Sequence, residues 1–181
     1  MTISKDSGSV LERLRELVRE VPDFPKAGIS FKDITPILSD HSAFHDAIVL
    51  LAEPFAAHGI DAVLGIESRG FMFAAPIALR LGAAFVPVRK PGKLPHLTDR
   101  AEYALEYGTD ALEIHRDALA PGARVLIVDD VIATGGTAGA AVALAKKQGA
   151  EVIGATFLIE LAFLGGMERL GIKGHSLLRY G

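Results

Sequence analysis

The sequence contains no cysteine, which excludes disulfide bonds, zinc sites built on thiolates and a cysteine nucleophile. It also lacks a long uninterrupted apolar run, since Pro76, Arg80 and Glu160 break the longest ones well short of the roughly 18 to 20 residues that cross a membrane. Charges run through the first 20 residues, which therefore do not resemble a secretory signal. The net charge of −3 gives no excess of basic residues to attract nucleic acid or an anionic membrane. We expect a soluble cytoplasmic protein that binds neither.

Length and apolar content predict one globular domain spanning residues 1–181. Half of the 181 residues are hydrophobic, enough for one substantial core, and the chain is too short for two ordinary domains. Apolar runs typical of buried strands alternate with helical periodicity, which indicates a parallel sheet covered on both faces. The predicted fold class is therefore α/β, with a mainly parallel, doubly wound sheet flanked by helices. The predicted strands are 62–66, 84–88, 124–128 and 152–159, and the helices among them are 74–81 and 138–148.

The N-terminal third is less regular. Ser9 and Glu12 have the spacing of a capping box, which predicts that an amphipathic helix follows. A second helix is predicted from Ser42 to Gly59. Between the two helices, residues 21–36 contain three prolines and a glycine, a composition that favours an extended connection. We expect residues 1–36 to form a helix and a small hood segment.

Two further segments interrupt the alternation of strands and helices. Residues 89–100 hold four basic side chains, two prolines and one glycine without apolar periodicity, which predicts a loop long enough to be functional. Residues 103–107 and 111–114, separated by a turn at Gly108, predict a short hairpin beside it. We expect the segment 89–107 to form a flexible catalytic loop.

The strongest chemical signal is the run VLIVDDVIATGGT at residues 125–137. An apolar strand brings Asp129 and Asp130 to its C-terminal end, where open parallel sheets bind ligands, and a turn then leads into a helix. Small residues leave the amides of this turn accessible, and the helix N-terminus adds partial positive charge, so the turn can wrap a phosphate. The two carboxylates would repel that phosphate. The part of the ligand that lies between the carboxylates and the phosphate must therefore carry hydroxyls or a developing positive charge. A ribose provides both.

The same run allows a simpler interpretation. The aspartates could cap the following helix while the glycines form a simple turn, as in other doubly wound domains. A P-loop is not supported, because Gly92 and Lys93 are followed by leucine and lack the spaced upstream glycine. The glycines at 135 and 136 are also out of register with the dinucleotide-binding pattern G-x-G-x-x-G.

The run resembles the ribose-phosphate signature of type I phosphoribosyltransferases, and four other motifs sharpen the resemblance to the members that act on adenine. These are FPKAGISFKDI at 24–34, ESRGF at 67–71, FVPVRKPGKLP at 85–95 and LEYG at 105–108. The resemblance implies Mg²⁺-dependent transfer of 5-phosphoribosyl from 5-phosphoribosyl 1-pyrophosphate (PRPP) to N9 of adenine. The products would be AMP and pyrophosphate. It further implies a homodimer, Mg²⁺ carried by PRPP with no direct protein ligand, and loop closure over the site.

The resemblance also assigns roles to residues. Glu67 and Ser68 would be joined by a cis peptide, Arg89 could reach a neighbouring subunit, and Lys32 stands where many relatives carry arginine. The catalytic residues would be Glu106, Tyr107, Asp129 and Asp130, and the residues that bind adenine would be Ser30, Phe31 and Lys32. The 5′-phosphate would be bound by Ala133, Thr134, Gly135, Gly136 and Thr137. Pyrophosphate would be bound by Glu67, Ser68, Arg69, Arg89, Lys90 and Lys93.

Two alternatives stay open. A sister enzyme acting on xanthine, hypoxanthine or guanine would share the phosphoribosyl half of the site. A regulator that only senses PRPP would keep the fold, although such a protein needs an added partner-binding region.

His41 and His45 have helical metal-pair spacing but lack the glutamate of H-E-x-x-H, so we interpret them as part of a solvated helix face. His96 lies in the basic loop, a position from which it could contact the substrate.

Overall fold

The structure is a computed structural model that describes residues 7–104 and 108–181. It contains two compact units, a smaller one that ends at Leu50 and a larger one, Leu51–Gly181. Among the described residues, no helix is both long and apolar enough to cross a lipid bilayer.

The smaller unit confirms the first helix and the extended character of part of the connection after it. A two-stranded antiparallel ribbon forms there, with Glu20 opposite Lys32. A short helix that was not predicted follows. It tolerates Pro36 because this residue lies in the first turn, where the N–H would have no partner within the helix. The elements are α1 (Ser7–Leu17), β1 (Arg19–Val21), β2 (Phe31–Asp33), α2 (Thr35–Ser39) and α3 (His41–Ala52), which continues into the larger unit.

The predicted bounds of the second helix, Ser42 to Gly59, were wrong at the C-terminal end. Helix α3 ends at Ala52, and Glu53–Phe55 form a 3₁₀ turn, because Pro54 has no N–H with which to extend the α-helical ladder. At the other end, Asp40 Oδ1 accepts a hydrogen bond from the N–H of Ala43 at 2.9 Å. That bond, with help from Ser42 and Arg13, lowers the pKa of Asp40 to about 2.

The larger unit is built on a five-stranded sheet in the order β4-β3-β7-β8-β9, in which every neighbouring pair is parallel. This confirms the α/β prediction with a mainly parallel sheet. The last strand and the short helix before it were not predicted. The elements are β3 (Ala62–Ile66), α4 (Gly70–Leu81), β4 (Ala84–Val88), β7 (Arg124–Ile132), α5 (Gly136–Lys147), β8 (Glu151–Leu161), α6 (Gly166–Arg169) and β9 (Gly174–Tyr180).

Helices α4 and α5 cover opposite faces of the sheet. Leu64 and Ile127 point to one face, where they belong to a buried cluster that includes Leu144 of α5. Gly65, the next residue of β3, faces α4, and a Cβ at this glycine would lie 2.7 Å from that of Ala74. Because side chains alternate along a strand, consecutive residues of β3 serve the two layers, which confirms the doubly wound arrangement.

The hairpin is longer than predicted. It consists of β5 (Thr98–Ala104) and β6 (Thr109–His115), so the prediction that residues 89–100 form a loop was wrong for its last three residues. The end of the hairpin is fixed to α5, because Asp99 forms a 2.8 Å ion pair with Lys147. Gln148 donates hydrogen bonds both to Asp99 and to the carbonyl of His115. No periodic pattern signals these contacts, since they join distant segments.

Candidate active site

One cleft in the larger unit collects residues from three of the predicted motifs. It lies at the carboxyl edge of the parallel sheet, where β3, β4 and β7 end, as expected for an open α/β sheet. Its volume is about 270 Å³. The lining residues are Glu67, Ser68, Arg69, Lys90, Asp129, Asp130, Val131, Ala133 and Thr137.

The two aspartates lie inside β7 rather than beyond its end. The strand continues past the predicted limit at Val128 because its pairing with β8 extends to Ile132. Asp130 is 4% exposed, and its Oδ2 lies 2.9 Å from Nε of Arg69. Asp129 Oδ1 accepts the N–H of Asp130 at 2.9 Å. Strand β7 therefore places an adjacent acidic pair on the cleft wall, with the Arg69 guanidinium beside it.

Burial dominates the electrostatics of this pair. Burial, and then the neighbouring charge of Asp130, raise the pKa of Asp129 well above its usual range. Burial also raises the pKa of Asp130, although the Arg69 guanidinium opposes this effect. The charge of the acidic pair is therefore incompletely compensated, and the pair is suited to a ligand that carries hydroxyl donors or a developing cation.

Gly70 leaves room for the Asp129 side chain because it has no Cβ. A Cβ at this position would lie 2.8 Å from Asp129 Oδ1 and 2.9 Å from the carbonyl oxygen of Val128. The first residue of α4 can therefore approach the acidic strand only as glycine. In the turn before α4, the peptide bond between Glu67 and Ser68 is cis, as the resemblance implied.

The turn after β7 forms a small cradle. A cavity of about 80 Å³ is lined by residues 131–138, which include every residue assigned to the 5′-phosphate. Gly135 has φ of +84°, a left-handed conformation that favours glycine, and α5 begins at the next residue. The N-terminus of a 12-residue helix thus opens on the cradle and directs partial positive charge towards it.

The basic segment after β4 is organised around Glu67. Both carboxylate oxygens accept from the Arg89 guanidinium, at 3.1 and 3.2 Å, and Oε2 also accepts the N–H of Lys90 at 2.9 Å. These bonds outweigh burial and lower the pKa of Glu67. The carbonyl of Lys93 accepts a hydrogen bond from Arg89 at 3.0 Å. Of the three basic residues predicted here, Lys90 lines the cleft, whereas Arg89 and Lys93 lie outside its lining.

Two hairpin residues that sequence reasoning missed hold the Lys90 ammonium. It donates to the hydroxyl of Tyr103 at 2.7 Å and to the carboxylate of Asp110. Although burial lowers the pKa of Lys90, these contacts raise it above its usual value. Tyr103 and Asp110 pair across the hairpin, and no local pattern connects them with Lys90.

The residues assigned to adenine belong to the smaller unit. Ser30 is exposed, and Phe31 is half-buried with its ring 5.2 Å from that of Phe24 in an edge-on arrangement. Phe24 is itself 51% exposed, so this aromatic pair offers a ring surface to solvent. Lys32 forms an ion pair with Glu20 across the ribbon.

The remaining predicted residues are Glu106, Tyr107 and three histidines. Glu106 and Tyr107 lie outside the described residues. His45 pairs with its neighbour Asp46 at 3.3 Å, and His41 is exposed at the start of α3. The ring of His96 lies 6.2 Å from that of His115.

Comparison with known proteins gives a consistent result. The family model described as the phosphoribosyl transferase domain matches residues 33–162. The adenine phosphoribosyltransferase of Anaeromyxobacter dehalogenans is 59% identical over 172 residues, covering 94% of this chain and 100% of that protein. The corresponding enzyme of Sorangium cellulosum is 59% identical, covering 88% of this chain and 80% of that one.

Solved structures agree with the sequence relatives. The crystal structure of adenine phosphoribosyltransferase from Rhodothermus marinus has a TM-score of 0.91 and 52% identity, covering 95% of this chain and 99% of that one. The Saccharomyces cerevisiae enzyme, crystallised with adenine and an imino-altritol bisphosphate, has a TM-score of 0.88 and 43% identity. Its alignment covers 93% of this chain and 98% of that one.

Proposed function

The chain belongs to the phosphoribosyltransferase family, and we propose that it transfers the 5-phosphoribosyl group of PRPP to N9 of adenine, releasing AMP and pyrophosphate. The reaction is a purine-salvage glycosyl transfer. Relatives above 50% identity that carry this activity in their names support the choice of adenine.

A single observation carries the proposal: one cleft has anion-binding groups at its two ends and two carboxylates between them. The strands end in the order β4, β3, β7 along the sheet edge, so Lys90 after β4 and Arg69 after β3 lie on one side of the acidic strand. Ala133 and Thr137 follow that strand in the turn to α5. The acidic strand lies between these ends. PRPP has the matching order of groups, with a 5′-phosphate, ribose hydroxyls and a pyrophosphate.

Asp129 and Asp130 act on the ribose in this proposal. Their carboxylates accept hydrogen bonds from the sugar hydroxyls and stabilise positive charge that develops at C1 as the bond to pyrophosphate breaks. Because Asp130 is almost fully buried, its interaction with that charge is weakly screened by water. The nucleophile, adenine N9, attacks the opposite face of C1 and inverts its configuration.

The pyrophosphate leaves towards the basic end of the cleft. Arg69 and Lys90 neutralise its growing charge, and Glu67 keeps Arg89 oriented beside them. Lys93 adds a further positive charge from the exposed segment. Arg89 and Lys93 would approach the leaving group when the segment closes, which also excludes water as a competing nucleophile.

Mg²⁺ would be carried mainly by PRPP. Carboxylate oxygens are suitable donors for Mg²⁺, but Glu67 is bound to Arg89 and Asp130 is paired with Arg69. The donor set therefore fits an ion held mainly by the oxygens of the substrate, with Asp129 and Asp130 acting on the hydroxyls. When bound, the ion neutralises charge on the departing pyrophosphate.

Adenine is assigned to the exposed aromatic surface of the smaller unit. Phe31 stacks on the purine, while main-chain groups of Ser30 and Lys32 read its edge. For Glu106 and Tyr107, which lie outside the described residues, we propose that Glu106 takes the purine proton or supports the ribosyl cation and that Tyr107 serves in loop closure. We also propose a cytoplasmic homodimer, in which Arg89 reaches towards the neighbouring subunit; light scattering after size-exclusion chromatography measures its mass.

The direct test is to incubate the purified protein with Mg²⁺, PRPP and each purine base in turn, and to identify the nucleotide by mass spectrometry. AMP from adenine alone is the expected result. A nucleotide from hypoxanthine, guanine or xanthine instead would overturn the assignment of the base. Tight PRPP binding without product from any base would indicate a sensor.

A further inference from the structure

The outer side of the phosphate cradle rests on the turn that contains α6. A Cβ at Gly135 would lie 2.7 Å from the carbonyl oxygen of Gly166, and a Cβ at Gly166 would overlap the carbonyl oxygen of Ala133 and lie 2.7 Å from the nitrogen of Gly135. Both glycines are needed for this close approach of two backbones. The cradle is therefore supported by a segment about 30 residues later in the sequence, counted from these positions.

Arg169, at the end of α6, fixes this contact. Its Nη1 donates to the carbonyl oxygen of Thr134 at 2.9 Å, and its Nη2 donates to the carbonyl oxygen of Leu164 at 2.5 Å. One planar guanidinium therefore bridges the cradle to the chain just before α6. Hydrogen bonds from a charged donor are stronger and more directional than neutral ones.

The bond to Thr134 determines which way the next amide points. In a trans peptide the C=O and the following N–H point in opposite directions. Because Arg169 binds the Thr134 carbonyl, the N–H of Gly135 should point away from the guanidinium. The cavity is lined by residues 131–138, Gly135 among them, and not by Arg169, so this direction leads towards it. The guanidinium also polarises this peptide, so its N–H becomes a better donor to an anion.

We propose that Arg169 is a positioning residue for the 5′-phosphate site: it does not touch the substrate, but holds the Thr134–Gly135 peptide with its N–H turned towards the phosphate. This inference rests on the proposed function for the identity of the ligand. Phosphate affinity in this protein thus depends on a side chain outside the cradle.

The test compares Arg169→Gln and Arg169→Lys with a matched control, Arg116→Gln. Arg116 also donates to a main-chain carbonyl, that of Thr98 at 3.1 Å, but it belongs to the hairpin end and does not line the cleft. Ribose 5-phosphate serves as the probe in isothermal titration calorimetry, and KM for PRPP and kcat are measured alongside.

Arg169→Gln is expected to raise the Kd for ribose 5-phosphate and the KM for PRPP about tenfold, the usual effect of losing one charge-assisted hydrogen bond. KM for adenine and kcat should change less than about twofold, since the reacting groups stay in place. Arg169→Lys keeps the charge but cannot bridge both carbonyls as the planar guanidinium does, so it should raise the Kd about threefold, and Arg116→Gln should behave as wild type. A purely structural role would lower the thermal midpoint without this selective effect on phosphate ligands.

The results distinguish failure of the Arg169 positioning role from failure of the proposed function. If wild type forms AMP while Arg169→Gln binds ribose 5-phosphate as well as wild type does, the positioning role is wrong and the proposed function stands. If wild type binds ribose 5-phosphate in an Arg169-dependent way but makes no AMP, the positioning role stands and the proposed function falls. If the glutamine variant does not fold, Arg169→Lys carries the test, and an unchanged Kd in that variant overturns the proposal.

Discussion

Glu67 binds the guanidinium of Arg89 with both of its carboxylate oxygens, at 3.1 and 3.2 Å. A carboxylate beside a proposed pyrophosphate site would ordinarily repel the ligand. Here its charge is compensated by Arg89 and by the N–H of Lys90, which together keep the pKa of Glu67 low despite burial. Glu67 therefore orients the Arg89 side chain and the Lys90 backbone.

Glu67→Gln should raise KM for PRPP about tenfold, because a neutral amide cannot hold both the guanidinium and the Lys90 amide with charge-assisted bonds. KM for adenine should change little. Steady-state kinetics with each substrate varied in turn measures the difference.

Glu151→Gln is the matched control for this variant. It removes an exposed ion pair with Arg124, of 3.0 Å, that does not line the cleft, and exposed pairs contribute little. Equal kinetic effects of the two variants would contradict a specific role for Glu67.

Asp130→Asn should lower kcat about a hundredfold, the scale seen when one group that stabilises transition-state charge is removed. Thermal unfolding and binding of ribose 5-phosphate report whether the variant is folded. Asp117→Asn, at an exposed position outside the cleft, should have wild-type kinetics. An Asp130→Asn protein with unchanged kcat would remove the proposed role in stabilising the ribosyl cation.

Asp129→Asn should stabilise the fold, and more so at pH 8 than at pH 4. The raised pKa means that folded Asp129 retains a proton that the unfolded chain has lost, so its contribution to stability falls as pH rises from the usual value of 3.8 through the folded pKa. Asparagine carries no charge and avoids this loss. We expect a rise in the thermal midpoint at pH 8 of about 2–4 °C, which corresponds to about 1 kcal/mol in a chain of this size. A midpoint difference that is the same at both pH values would refute the linkage.

Gly70→Ala should destabilise the protein by about 1–3 kcal/mol, the usual cost of overpacking, because its Cβ would press on Asp129 and Val128. Urea unfolding measures the loss. Gly139→Ala is the control: this glycine lies in α5, and an added Cβ would have nothing within 4 Å, so alanine should stabilise the helix by about 1 kcal/mol. Stabilisation by both substitutions would show that Gly70 is not spatially constrained.

The elements predicted most accurately were those with a local signal. Strands β3 and β4 match their predicted bounds, 62–66 and 84–88, because each is a continuous apolar run that ends at a charged residue, Glu67 or Arg89. The predictions were less accurate where tertiary contacts set the limits. Strand β7 continues through two aspartates because β8 supplies its ladder, and the hairpin begins at Thr98, where Asp99 is tied to Lys147.

The sequence by itself determined the α/β alternation, the glycine-containing turn at 133–137 and the acidic pair before it, because each depends on neighbours within a few residues. The tertiary structure alone decided which charged groups meet: Arg69 with Asp130, Glu67 with Arg89, and Arg169 with the Thr134 carbonyl. These partners are brought together by the parallel sheet and by loops that leave its edge. Periodicity along the chain contains no information about contacts of this kind, since they depend on where separate elements pack.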